Sequence, residues 1–224
     1  QVVDATTGAR FEATTDAQGA YAFGALPVGS YQVTVVSAGL TAFRRQGLAV
    51  TADVGIHHGH LIDVDIGYFD PNFRLDPPLR GTRDRDAIIA GLADGTIDII
   101  CSDHAPIGED DKLLPFGEAE PGASALETLL PLTLKWATEN DIPLSQALTK
   151  VTSGPAEILS KGSPKGRLSV DAKADVVVFD PSAPWVVSAE TLVSAGKNTP
   201  VAGYELEGCV RYTLVGGEIR YVRS

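Results

Sequence analysis

The triplet Ser102-Asp103-His104 closes an apolar run, Ile97–Cys101, and is followed at once by Ala105-Pro106. A carboxylate at the end of a buried strand can ligate a metal and can take a proton from a metal-bound water. It can equally cap the turn that leaves the strand, and one carboxylate does not make a metal site. His58-Gly59-His60 has the spacing of a His-x-His ligand pair, although loop imidazoles that bind nothing are the commoner case. Three other clusters have plainer readings. Lys161-Gly-Ser-Pro-Lys-Gly166 lacks the Gly-Lys-Ser/Thr order of a phosphate loop and reads as an ordinary connection. Glu109-Asp110-Asp111 reads as a solvated acidic loop. Arg80, Arg83 and Arg85 could bind a carboxylate, but pair as readily with Asp84 or Asp86 on the surface.

The elements that must position these residues fall into two styles. Residues 1–53 are rich in Thr, Val, Ala and Gly with period-2 alternation. They predict strands at Phe11–Thr15, Tyr21–Phe23 and Tyr31–Val36, with turns at Asp16–Gly19 and Leu26–Gly29. The result is a small antiparallel β unit. After residue 54 the pattern alternates between helix and strand. Asp84 can cap a helix ending at Gly95, and Ile97–Cys101 has the continuous apolar character of a buried parallel strand. Ser124-Ala-Leu-Glu127 is a capping-box pattern opening a helix to about Asn140, with Pro131 expected to kink it. Further helices are expected from Pro143 to Lys150 and from Pro155 to Leu159. The tail returns to strands at Ala174–Phe179, Val210–Val215 and Glu218–Val222, the last two joined by the hairpin signal Gly216-Gly217. Trp136 and Trp185 lie in apolar patterns and read as core.

Charge narrows the partners. With 18 Lys+Arg against 29 Asp+Glu, the formal net charge is −11, which repels phosphate backbones and argues against nucleic acid. No apolar stretch approaches the roughly 20 residues of a membrane span. Neither a basic start nor an apolar signal core is visible. The first residue is Gln1 and there is no Met, which predicts a piece of a longer chain or a processed product. Cys101 and Cys209 do not define a disulfide framework, and Cys101, inside the apolar run, is expected to be a buried free thiol.

Six segments occur in a telling order: Asp53-Val-Gly-Ile-His-His-Gly-His-Leu-Ile-Asp63, Arg74-Leu-Asp-Pro-Pro-Leu-Arg80, Ser102-Asp-His-Ala-Pro106, Pro121-Gly-Ala-Ser-Ala-Leu-Glu127, Ala174-Asp-Val-Val-Val-Phe-Asp-Pro181 and Gly196-Lys-Asn-Thr-Pro200. From about residue 47 to 224 the series resembles the C-terminal part of a dihydroorotase of the cyclic amidohydrolase family. The resemblance implies an α/β fold: the C-terminal part of a metal-dependent-hydrolase TIM barrel, incomplete, over residues 47–165, with a small β domain over 166–224. Three barrel strands are expected at most, near 48–54, 73–76 and 97–101, and their open edges invite pairing with another chain, hence a homo-oligomer. The implied reaction is the interconversion of carbamoyl-aspartate and dihydroorotate in pyrimidine biosynthesis, by attack of a zinc-activated hydroxide on the ring amide. Asp103 stands at the position of the family's last metal ligand and general base. Asp76 stands at a substrate-contacting position that is usually Asn, and Pro121 and Gly122 in a loop whose backbone holds the substrate ring. Ile107 replaces a substrate-binding His. The family's first-half ligands lie before the matching part, so this chain alone is expected neither to hold a full zinc centre nor to turn over substrate. Non-catalytic dihydroorotase-like chains that assemble with aspartate carbamoyltransferase are one alternative, and an envelope or secreted β-sandwich binding module is another. Residues 1–46, through Thr14–Phe23, Leu26–Val33 and Ala38–Arg45, resemble a partial carboxypeptidase regulatory-like β-sandwich of the kind that precedes TonB-dependent receptor plugs. The two resemblances imply different compartments, the cytoplasm for the dihydroorotase-like part and the envelope for the N-terminal module.

Overall fold

In the computed structural model, residues 1–14, 23, 26–27, 29–35, 43–159 and 165–223 are described, with the backbone alone at 35 and 43–49. The chain divides into two compact units, Gln1–Ala52 and Asp53–Ser224.

In the first unit, alternation along β3 (Gly29–Val35) puts Tyr31 and Val33 on one face, where both are buried with Val2. Phe11, Phe23, Leu26 and Val50 pack against them. β1 (Val2–Asp4), β2 (Arg10–Phe11), β3 and β4 (Phe43–Val50) form an antiparallel sheet in the order β2-β1-β3-β4. The turn from β1 to β2 is organised by Asp4, whose carboxylate accepts from the amides of Thr6 (2.7 Å) and Thr7 (3.0 Å). These two bonds hold the Asp4 carboxyl below the usual range. Of the strand expected at Phe11–Thr15, Phe11 lies in β2 and residues 12–14 lie outside any strand, Thr15 being outside the described residues, and β1 is added before it. Val2-Val3 is too short for its alternation to show in sequence. The expected turn at 16–19, most of the strand at 21–23 and the loop at 161–164 lie outside the described residues.

The second unit opens with β5 (Asp53–Gly55), which pairs in parallel with β6 (Ile99–Cys101); Asp53 stands opposite Ile99 and Gly55 opposite Cys101. The strand expected near 48–54 is thus two strands, β4 ending in the first unit and β5 starting the second. The strand expected near 73–76 does not form. Pro71–Phe73 is a 3-10 turn, and a loop follows through the cis Asp76–Pro77 bond. Pro77 and Pro78 remove two ladder donors at that point. Helix α1 (Thr82–Asp94) crosses between the parallel strands and ends at Gly95 in the left-handed conformation. Its cap position is held by Gly81, not Asp84, which lies inside the first turn; there the carboxylate favours the helix dipole instead.

After β6 come α2 (Glu109–Lys112), α3 (Leu126–Glu139, with Pro131 in its interior), α4 (Leu144–Thr149) and α5 (Ser153–Leu159). Strands β7 (Val176–Val186), β8 (Glu205–Val215) and β9 (Glu218–Val222) make an antiparallel sheet in chain order. Gly216 and Gly217 both have positive φ, as the β8–β9 hairpin turn requires. One apolar cluster joins Ile56, Leu92 and Ile100 to Leu132 and Trp136 of α3, to Trp185, Leu206 and Cys209 of the C-terminal sheet and to Val187 just after β7. Both tryptophans are core. Cys209 is buried and Cys101 only half-buried, because Ile100 takes the core side of β6 and Cys101 the other.

Candidate functional site

Parity along β5 and β6 puts Asp53, Gly55, Ile99 and Cys101 on the face away from the buried Ile100. Beyond β6 the chain turns sharply at Asp103, a non-glycine residue with φ of 51°. Gly55 explains why the turn fits. A Cβ there would stand 3.1 Å from Asp103 Cβ, 3.3 Å from an Asp103 carboxylate oxygen and 3.2 Å from His58 Nδ1. The missing side chain of Gly55 thus leaves the space in which Asp103 and His58 approach each other.

His58 is 8% exposed. Its Nε2 lies 2.9 Å from the Pro77 carbonyl oxygen. A carbonyl can only accept, so Nε2 carries the hydrogen of this bond, and Nδ1 is the nitrogen turned toward Gly55 and Asp103. That Nδ1 is buried with no hydrogen-bond partner. The ring therefore bridges the Asp76–Pro77 loop to the neighbourhood of Asp103. The neighbouring histidines differ. Both ring nitrogens of His57 are buried and unpartnered, and burial lowers its pKa to about 4. His60 Nε2 bonds the Leu132 carbonyl at 2.9 Å. The apparent His-x-His pair is thereby split between Pro77 and α3.

His104 does not join Asp103 in chemistry. Its Nδ1 accepts from the amides of Ala125 (3.0 Å) and Leu126 (3.3 Å), capping α3 from outside the helix. The capping box read at Ser124–Glu127 is not formed. Ser124 Oγ donates to the Gly196 carbonyl at 2.5 Å, and Glu127 accepts from the amides of Val193 (2.8 Å) and Ser194 (2.6 Å). The polar residues at the start of α3 hold the 192–198 loop rather than the helix.

Around Asp103 three loops are sewn together. Asn198 Oδ1 accepts from Ile107 N (2.9 Å), and Asn198 Nδ2 donates to Gly122 O (2.9 Å). Its carbonyl also accepts from Ser124 N (2.7 Å). Ala105 N donates to Ala123 O (2.8 Å), and Gly122 N to Arg74 O (2.9 Å). Gly122 has φ of 137°, and a Cβ there would meet Ala105 Cβ and Ala105 O at 2.8 Å. The structure thus ties Pro121–Gly122 to the segment after β6 at Ala105 and Ile107, and links the Asp76–Pro77 loop to the neighbourhood of Asp103 through the His58 ring. Sequence reasoning missed Asn198 as the organiser and Lys112 as a clamp. Lys112, at the end of the expected acidic loop, is 8% exposed, and its Nζ donates to Pro71 O (3.0 Å) and Arg74 O (3.3 Å). Burial lowers its pKa. A lone Lys after three acids gives no such signal; Asn in Gly196-Lys-Asn-Thr-Pro200 was visible only as part of a longer matching segment. Arg85 pairs with Asp86 at 2.9 Å, as expected of a surface arginine.

A model of the amidohydrolase family matches residues 3–221. The chain belongs to the amidohydrolase family. It is 41% identical over 178 residues to a dihydroorotase of Geobacter sp. (strain M21), a match covering 80% of this chain and 41% of that protein. A dihydroorotase-like protein of Pseudomonas putida is 42% identical over 173 residues, 77% of this chain and 40% of its own. Among solved structures, the L-hydantoinase (dihydropyrimidinase) from Arthrobacter aurescens superposes with a TM-score of 0.70 at 26% identity, over 76% of this chain and 39% of that one. This amidohydrolase chain therefore spans about two-fifths of the length of the relatives it matches. The family match takes in the first unit as well as the second.

Metal fit is a question of donors. Among the described residues of the amidohydrolase chain, no three His, Cys, Asp or Glu side chains converge as a metal site. A zinc ion takes about three protein ligands, and the donors beside one another here are Asp103 and His58. The Cys101 thiol is pushed up to about 11 by burial and by Asp53 beside it, so at neutral pH it is no thiolate ligand. The residues present do not fit a complete zinc centre. No helix is long and apolar enough to cross a membrane, among the described residues.

Proposed function

We propose that residues 53–224 form one wall of a dihydroorotase-like cyclic amidohydrolase site, working in the interconversion of carbamoyl-aspartate and dihydroorotate. The observation that carries this is the meeting, at the segment that follows β6, of the Asp76–Pro77 loop, which reaches Asp103 through His58, and of the Pro121–Gly122 loop, which Asn198 ties to Ile107. The similarity to curated dihydroorotases supports it. In this reading β5 and β6 are two strands of a (β/α)8 barrel, whose functional groups sit at the C-terminal ends of strands. β7–β9 belong to a small β domain. The first unit is part of a carboxypeptidase regulatory-like sheet. The site works in the cytoplasm, in an oligomer formed through the open strand edges.

Asp103 takes the proton of the attacking water and delivers it to the ring nitrogen as the amide bond breaks. Asp76 and the Pro121–Gly122 backbone orient the ring. Any zinc chemistry belongs to a donor set larger than the one these residues supply. A second reading, a non-catalytic partner of aspartate carbamoyltransferase, is favoured by Asp76 and Ile107 standing at substrate positions and by the relative named only dihydroorotase-like.

The purified chain is expected to carry no stoichiometric zinc and to leave dihydroorotate intact. The decisive assay is a chimera in which residues 53–224 replace the matching part of a dihydroorotase. Retained, metal-dependent ring opening supports the enzyme. A folded, zinc-loaded chimera without turnover, together with co-purification of aspartate carbamoyltransferase, supports the scaffold.

A further inference from the structure

Pairing of β8 with β9 sets Thr213 opposite Tyr221, and the bond from Arg223 N to Arg211 O (3.0 Å) carries the ladder past the end of β9. The period of two along a strand puts Tyr221 and Arg223 on one face. Thr213, Tyr221 and Arg223 line a cleft of 510 Å³ with the start of α3 and the 191–194 loop. Asp103, His58, Ile107, Gly122 and Asn198 take no part in it. Its apolar walls include Leu126, Pro131, Val193 and Val210, and of these Leu126 is 58% and Val193 76% exposed. The cleft has one carboxylate, Glu127, and that one is engaged. Both of its oxygens accept from Ser194 Oγ at 2.9 Å, and Oε1 also takes the amides of Val193 and Ser194. Arg223 is not engaged in this way. Among the described residues it pairs with no carboxylate, and its guanidinium carbon lies 5.9 Å from the centre of the Trp185 ring, another lining residue. His104 lines the cleft too. Its Nδ1 accepts from the amides of Ala125 and Leu126, so the ring hydrogen is on Nε2, a donor bonded to no other described residue.

We infer that this cleft binds a small carboxylate with an apolar body, with Arg223 as its countercharge and His104 Nε2–H as a second donor. The size is that of a small-molecule site. A guanidinium lying on an indole keeps its N–H groups free, and a carboxylate is the anion that meets them two at a time. A cationic ligand would meet Arg223, and the Glu127 oxygens that could balance it already hold the 193–194 loop. An uncharged ligand leaves the guanidinium unpaired. The apolar body covers side chains such as Leu126 and Val193 that otherwise stand in water. This site is independent of the reaction proposed at Asp103 and shares none of its groups.

The probes are 3-phenylpropionate, the uncharged 3-phenylpropanol and acetate, which separate the charge from the apolar body. Each is titrated into the isotopically labelled 224-residue chain at neutral pH, with the Leu126 and Val210 amides and the His104 Nε2 resonance followed by NMR. The phenylpropionate is expected to shift all three and to bind about fivefold more tightly than the alcohol, the worth of one partly exposed ion pair. Acetate is expected to leave them in place. Arg223→Gln is expected to remove the preference for the acid and Arg223→Lys to keep most of it. Thr213→Phe, which fills the cleft from β8, is expected to weaken both phenyl compounds alike. Equal binding of acid and alcohol overturns the inference, as does a preference that survives Arg223→Gln. Shifts by acetate as large as those by phenylpropionate would mean a surface ion contact and no cleft site. Failure of phenylpropionate to shift these signals at millimolar concentration also overturns it. The chimera carrying residues 53–224 is expected to show the same preference, and a cleft closed to the acid there would belong to packing within the longer protein and sink the proposal.

Discussion

Asn198 and His57 are both buried polar side chains of the second unit, 8% and 1% exposed, and they are accommodated in opposite ways. Asn198 has its amide oxygen on Ile107 N and its amide nitrogen on Gly122 O, with its carbonyl on Ser124 N. His57 has both ring nitrogens buried without a partner. The loops on the Asn198 side are fixed by directional bonds that specify one geometry. The His57 turn is held by packing, and only as long as its ring stays neutral. The first kind of order is broken by changing an atom in the network; the second is broken by a proton.

The sharpest way to break the loop side is Gly122→Ala. Left-handed φ at 137° disfavours any side chain, and the new Cβ would meet Ala105 Cβ and Ala105 O at 2.8 Å. Strain and overpacking together are expected to cost about 4 kcal/mol, read as a lower urea midpoint, with the loss of protection at the Ile107 amide as its local sign. A stability within about 0.5 kcal/mol of the parent would show that the loops yield and that the knot is not rigid.

The histidine side answers to pH. Folded His57 has its pKa lowered to about 4 from a reference of 6.5, by burial first and by His58 and His60 after it. The unfolded chain takes up a proton below about 6.5 that the folded chain refuses until about 4. Stability is therefore full above 6.5, falls by about 3 kcal/mol as the pH drops toward 4, and levels off below. His60, lowered chiefly by burial, acts in the same direction. The check is urea unfolding at a series of pH values. His57→Phe is expected to flatten most of the slope, and an unchanged slope in that variant would remove His57 from the account.

This contrast also shows what could be read without a structure. Helix α1 and its stop at Gly95, strand β6 and the Gly216-Gly217 hairpin were legible because their signals are local: apolar periodicity, left-handed glycine, paired turn residues. The Ser124–Glu127 box was equally plain as a pattern and wrong as a cap. Gly196, 72 residues from Ser124, and Ser194, 67 from Glu127, compete for the same polar groups, and sequence spacing carries no trace of that competition. His104 shows the same effect reversed: beside a candidate catalytic acid it looks functional, yet the amides at the start of α3 engage it. Asp103 was legible as a strand-end acid, while its neighbour His58 was not, because only Gly55 and the Pro77 carbonyl together reveal which nitrogen faces it.

Asn198→Ala carries the smallest expected effect and the clearest meaning. It strips a donor and an acceptor from two main-chain groups, Ile107 N and Gly122 O, while Ser124 N keeps its bond to the Asn198 backbone carbonyl. Water can reach part of the gap beside the half-exposed Ile107, so the loss is expected at about 2 kcal/mol and not at the full cost of two buried orphans. Asn198→Asp separates the two bonds. It keeps the acceptor for Ile107 N but puts a carboxylate oxygen against Gly122 O. If the knot depends on both bonds, this variant is the less stable of the pair at pH 7 and recovers as acid protonates the new carboxyl, over the same range in which the parent weakens through His57. Two variants of equal stability at every pH would mean that the Gly122 bond contributes nothing, and that Gly122 is held by its contact with Arg74 O alone.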